Sequence, residues 1–330
     1  MEISEIVNQM HEEGIESLLI FKPENITYLS GYWPTSTSIL LLKDDPVLLV
    51  PKLDLKEAEE ISALEVDELR SLPKLKKTLP VHLGVEPSLD IATYKKIGEE
   101  FKIQVTDLVE RSRIIKSEGE VHNIQKAIEI AEKSFLEVEM RGSEDEAAAR
   151  LEYIMRLNGS SKPAFNTIMA SGRRSSFPHA STSPENIESP LVIDWGAVYN
   201  HYASDTSRTL VETEKEEEIF DIVLEAQEKA IKNIKPGVKA SYIDKVARDI
   251  ITDYGYGESF LHSTGHGVGL EVHEMPSLSS KEDKKLEAGM VITVEPGIYV
   301  EGEFGVRVED MVLVGKRSRV LNNIDSRLSF

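Results

Sequence analysis

The 330-residue chain contains no cysteine, which excludes disulfides and thiolate metal sites. That absence fits a reducing cytoplasm, or a hot or oxidising habitat that selects against thiols. No apolar run approaches the roughly 20 residues needed to span a bilayer. The start, MEISEIVNQMHEEG, lacks the basic beginning and apolar core of a signal peptide. Basic charge is also scarce: 38 Lys and Arg stand against 58 Asp and Glu, a net charge of −20. A nucleic-acid surface needs a basic stripe, so none is expected, and the acidity is read as a solubility feature. The expectation is a soluble, cytoplasmic protein with neither nucleic-acid nor membrane partners.

What is present divides in two. Residues 1–112 alternate strands and helices and predict a small sheet covered by helices. Ile3, Ile6, Val7 and Met10 recur at helical spacing, and Gly14 can end that helix. IESLLIF reads as a buried strand and Pro23 to Gly31 as a short helix. TSILLLK and PVLLV read as a hairpin through Asp44 and Asp45, and a later helix over about 89–101 precedes the strand KIQVT. The pattern changes near 106–117. Ser117 with Glu120, then Ser143 with Glu146, are capping boxes, in which each side chain satisfies an orphan amide at a helix start. Residues 113–330 then predict helix, helix, strands, a hairpin, two more helices (about 214–235 and 241–254), strands and a second hairpin. This reads as an α+β domain whose two halves share a grammar.

Both hairpins carry paired acids. In LVIDWGAVYNHYASDTSRTLV, a turn centred on Tyr199-Asn200 would set Asp194 opposite Asp205. In MVITVEPGIYVEGEFGVRVEDMVLV, Glu295 and Glu309 are equidistant from Gly302. Like charges directly opposite on a sheet are destabilising. Four buried carboxylates are tolerable only with cations between them, and such carboxylates can bridge two divalent ions about 3.5–4 Å apart. His266, flanked by Gly265 and Gly267, supplies a nitrogen ligand in a tight strand or bend. This hard, oxygen-rich set suits Mn, Co, Fe or Zn better than Cu(I), and its one nitrogen argues mildly against Mg or Ca.

With those residues in place, the chain resembles the pita-bread metallopeptidases, most closely their prolidase and Xaa-Pro aminopeptidase members. PAFNTIMASGRRSSFPHA, VIDWGAVYNHYASDTSRT, GHGVGLEVHEMP, VEPGIY and GVRVEDMVLV carry the likeness, together with PENITYLSGY near the start. The resemblance implies a creatinase-like α/β N-terminal domain (1–112), followed by an α+β pita-bread catalytic domain (113–330) with a curved antiparallel sheet. It implies two divalent metal ions: Asp194 on one, Asp205 and Glu309 bridging both, His266 and Glu295 on the other. It further implies that His179 and His273 contact the substrate and reacting centre, that Glu295 moves the proton, and that Arg307 orients a ligand.

The implied activity is hydrolysis of the Xaa-Pro bond at the N-terminus of short proline-containing peptides, by a homodimer whose N-terminal domain covers the mouth of the site. Many prolidases carry an arginine just after the HExP string, suited to gripping a dipeptide carboxylate. Here that place is Ser277, and Arg173 or Arg174 would have to substitute. Dipeptidase and longer-peptide aminopeptidase action therefore both stay open. Three alternatives share the fold: a methionine aminopeptidase, which the N-terminal domain argues against; a creatinase-like hydrolase working without metals; and an inactive binding module. The five retained ligand types argue against the last two.

Overall fold

The computed structural model describes residues 3–98 and 100–328. It resolves into two compact units, one running to Arg113 and the other starting at Ile114.

In the first unit the helix Ile3–Glu12 buries Ile6, Val7 and Met10, and Gly14 follows at φ +76°. A six-stranded sheet runs in the order Glu65–Glu68, Val47–Val50, Ile39–Leu42, Ser17–Ile20, His82–Val85, Lys102–Val105. The pair joining 17–20 to 39–42 is antiparallel, whereas 17–20 runs parallel to 82–85. Its central strands are apolar throughout because both faces are covered. Leu18, Leu40 and Leu42 join one core cluster; Leu19, Leu41, Leu83 and Val85 join another on the opposite face. The expected helix over about 89–101 is shorter, Ile91–Ile97. Asp90 caps its start, accepting from the amides of Ala92 and Thr93, and Gly98 (φ +99°) follows its end.

In the second unit both anticipated capping boxes form, opening the helices Glu118–Glu137 and Glu144–Leu157. A third, Thr213 with Glu216, opens Glu214–Asn233, and Ala240–Asp253 follows. All pairings between its strands are antiparallel. One sheet orders Thr206–Leu210, Leu191–Trp195 and Ile168–Ser171. A five-stranded sheet orders Glu274–Leu278, Gly265–Gly267, Val291–Val294, Asp310–Leu313 and Arg319–Val320. Each sheet packs one face on its own helices. Leu191, Ile193 and Trp195 meet Ala131, Phe135, Ala147 and Leu151 in one cluster; Ile292, Val294 and Val312 meet Ile219, Val223, Ile243 and Ala247 in another. Trp195 is fully buried, stacks on Phe135 at 4.5 Å and donates its indole N–H to the Ala131 carbonyl (3.0 Å). Strand alternation sends every second residue to the other face.

Candidate metal centre

Because Leu191, Ile193 and Trp195 face the helices, Asp194 must face away from them. Its cross-strand partner is Ser207, not Asp205. The register runs unbroken through Val198–Tyr199 and Tyr202–Ala203 to a two-residue turn at Asn200-His201, both at positive φ (46° and 71°). The expected centre at Tyr199-Asn200 is thus corrected by one position, because a tight hairpin takes φ > 0 at both central residues. The pairing slips by two residues, which preserves the face. Asp205 stays on the same side as Asp194, diagonal to it. Ser207 occupies the position expected for Asp205; it donates to Glu309 Oε2 (2.8 Å) and accepts from Arg307 Nε (2.8 Å).

The second acidic hairpin keeps the expected register. Val294 pairs with Asp310 and Gly297 with Arg307, both centred on Gly302 at φ +75°. Glu295 and Glu309 lie between those two pairs. His266 sits mid-strand in Gly265–Gly267, and its neighbours must lack side chains: a Cβ on Gly265 would meet the Thr293 carbonyl oxygen at 2.1 Å, and one on Gly267 the Met275 carbonyl oxygen at 2.3 Å.

Asp205, His266 and Glu309 each bring a ligand atom within 4.8 Å of the others. Glu295 joins through His266, whose Nε2 lies 3.2 Å from Glu295 Oε1 and 3.6 Å from Asp205 Oδ2. Asp194 adjoins Asp205 and is held by Arg307 Nη2 at 2.7 Å. Burial, then the charges of neighbouring carboxylates, push Asp205 and Glu309 well above the usual carboxylate range. Burial opposes a charged Glu295, but the hydrogen bond and charge of His266 outweigh it and hold Glu295 at about 2. Burial likewise disfavours a charged His266, yet Glu295 raises it. Asp194 Oδ1 and Glu309 Oε1 are buried with no donor. An unpaired buried carboxylate oxygen is costly, and a cation is the missing counterpart. The donor set therefore fits divalent metal.

These acids line a cavity of about 600 Å³ together with His179, His262 and His273. His179 follows a short 3₁₀ turn, Gly172–Ser176. His273 lies in a bend before the strand Glu274–Leu278. Its ring meets His266 edge-on at 4.4 Å. The bend is braced from below. Glu274 accepts from the Glu271 amide (3.2 Å) and pairs with Lys116 Nζ at 3.0 Å, with both side chains almost wholly buried. Ser277 lines the cavity; Arg173 and Arg174 do not. Arg174 is tied to Glu144 (3.1 Å) and to the Ser181 carbonyl.

Two residues that sequence reasoning left aside belong here. His262 lines the cavity, and its Nε2 lies 2.9 Å from the Tyr299 hydroxyl. Arg307 cannot accept, so its Nη1 donates to that hydroxyl (2.8 Å). His262 Nδ1 contacts the Ser263 carbonyl at 2.8 Å. Burial lowers its pKa, which favours the neutral imidazole. The only advance signal was position: His262 is one turn of sequence before His266, and Tyr299 closes the VEPGIY string.

Residues 122–316 match metallopeptidase family M24, and residues 3–115 match the creatinase/prolidase N-terminal domain. The chain is 43% identical to the Xaa-Pro dipeptidase of Pyrococcus horikoshii, across 95% of this chain and 94% of that one. It is also 43% identical to the Xaa-Pro dipeptidase of Pyrococcus furiosus, over 94% of each. The solved prolidase of Pyrococcus horikoshii superposes with a TM-score of 0.95 at 42% identity, covering 99% of both chains. The X-Pro aminopeptidase of Thermotoga maritima superposes with a TM-score of 0.90 at 37% identity, again over 99% of both.

Proposed function

The chain belongs to metallopeptidase family M24, and from that premise we propose that it is an exopeptidase hydrolysing the bond between an N-terminal residue and a following proline. The observation that carries this reading is one cavity joining Asp205, His266 and Glu309 to Asp194, Glu295 and three histidines. Phe165, Ile168 and Val272 line the same cavity and give a pyrrolidine ring apolar walls. The match of residues 3–115 to the creatinase/prolidase N-terminal domain favours a proline-directed enzyme over a methionine aminopeptidase.

In this reading Asp194, Asp205, His266, Glu295 and Glu309 hold two divalent ions of the Mn, Co, Fe or Zn kind. When bound, these supply an activated water and polarise the scissile carbonyl. His266 must be neutral to act as a ligand, so the ion pair it now makes with Glu295 gives way. Glu295, one of the residues that would hold the ions, would also take the water's proton and pass it to the leaving nitrogen. His179 and His273 hydrogen-bond the carbonyl or leaving group. Arg307, pinned by Ser207, Tyr299 and the Pro178 carbonyl, keeps Asp194 aimed inward.

Hydrolysis of Xaa-Pro dipeptides and Xaa-Pro-Xaa tripeptides, assayed across several added metals, tests the reading. The expected result is proline-dependent cleavage that chelator and Asp205→Ala both abolish. Activity indifferent to either treatment would refute the metal mechanism, and release of Met from Met-Ala but not Met-Pro would move the enzyme to the methionine class.

A further inference from the structure

The cavity does not end at His179. Asn166, Ile168 and His179 also line a second hollow of about 500 Å³, which continues over one face of the helix Glu144–Leu157. That face presents Asp145, Ala148, Ala149 and Glu152, spaced i, i+3, i+4 and i+7. The two alanines leave a shallow floor, and the two acids fence it about 10.5 Å apart along the helix axis. The opposite wall carries Thr167, whose residue is only 6% exposed and whose Oγ1 is buried without a hydrogen-bond partner. Among the described residues, no Lys or Arg lines the hollow. Resting on the exopeptidase reading, we infer that this groove receives the peptide beyond the proline, and that it selects substrates carrying a cationic residue directly after Xaa-Pro.

The physical reasons converge. An exopeptidase that removes one residue needs an exit only on the side of the leaving chain. The groove starts at His179, one of the two histidines placed against the carbonyl or leaving group. An orphaned hydroxyl in its wall lacks a partner that a peptide backbone can provide. Two carboxylates that form no ion pair among the described residues attract an ammonium or guanidinium and repel the free carboxylate that a dipeptide would bring to the same place. In the central cavity Ser277 stands where many prolidases carry an arginine, and Arg307 donates to Asp194, Ser207, Tyr299 and Pro178. The site is therefore built for longer peptides more than for dipeptides.

The test is a kcat/KM panel with the metal-loaded protein on Ala-Pro, Ala-Pro-Ala, Ala-Pro-Lys, Ala-Pro-Glu and Lys-Pro-Ala. The expected order is Ala-Pro-Lys over Ala-Pro-Ala over Ala-Pro-Glu, spanning about tenfold for two partly exposed carboxylates. The order should narrow in high salt. Asp145→Lys with Glu152→Lys reverses it, a readout that requires folded, active enzyme; Asp145→Asn with Glu152→Gln flattens it. If Xaa-Pro peptides are cleaved but the third residue's charge makes no difference, the groove inference is overturned and the exopeptidase reading stands. If the variants lose preference for Lys-Pro-Ala instead, the groove holds the N-terminal residue and the inference is again overturned. If none of the panel is cleaved, the exopeptidase reading itself falls.

Discussion

The two units solve the same problem, covering a sheet, in opposite ways. The six-stranded sheet of the first unit is apolar on both faces at its centre, and Leu18 and Leu19 point into separate clusters. The sheets of the second unit bury one face against helices and give the other to Asp194, Asp205, Glu295 and Glu309. The first arrangement gains stability from every central residue. The second spends stability on a set of like charges that become favourable only with cation present.

Asp205→Ala should break the comparison most visibly on the functional side. Removing a ligand from the tight cluster should lower kcat/KM by at least about a hundredfold, the upper end for loss of a supporting group, while circular dichroism stays native. On the structural side, Leu18→Ala should cost about 3 kcal/mol in denaturant unfolding of the first unit and leave metal content unchanged. Tyr299→Phe sharpens the contrast within the site: it removes the hydroxyl linking Arg307 to His262, so kcat should fall about tenfold, with a shifted pH profile and little change in KM.

A smaller effect carries the opposite sign. Asp205→Asn removes an ionisable group from the crowded face and should stabilise the metal-free protein by on the order of 1 kcal/mol, seen as a higher melting temperature that added metal no longer raises. The pH dependence follows from the same groups. Asp205 and Glu309 titrate above their unfolded values, so the folded metal-free protein binds more protons. Its stability is full below the unfolded carboxylate pKa and is lost as pH rises through the folded one. Glu295, held at about 2, works the other way: its contribution is present above its unfolded pKa and is lost as pH falls through 2. Metal competes with protons at Asp205 and Glu309, so affinity should fall on acidification and loading should release protons, both measurable by calorimetry in buffers of different ionisation heat.

Much of this was readable in advance because it rests on local chemistry. The capping boxes at Ser117 and Ser143 need only four residues, and they form. The glycines around His266 announced a close backbone approach, and a carbonyl oxygen occupies the space each side chain would fill. The acids of the second hairpin could be paired by counting from Gly302. The first hairpin slipped because the count depends on which two residues adopt φ > 0, and Asn200-His201 competes with Tyr199-Asn200 on nearly equal terms. The edge strand Glu65–Glu68, reading EVDE, has too little apolar content to signal itself, and it forms by pairing alongside Val47–Val50. His262 and Tyr299 were invisible for a different reason: they act through each other, 37 residues apart, and no local pattern encodes that.

The indole one residue beyond Asp194 has a practical consequence. The chain holds only two tryptophans, and Trp195 is sealed from solvent on the helix-facing side of the strand Leu191–Trp195. Its near-ultraviolet emission should respond if a cation binds Asp194, and Trp33→Phe would remove the contribution of the second indole. If Asp194 holds metal as proposed, Trp195 serves as an optical gauge of occupancy, usable before any substrate has been identified.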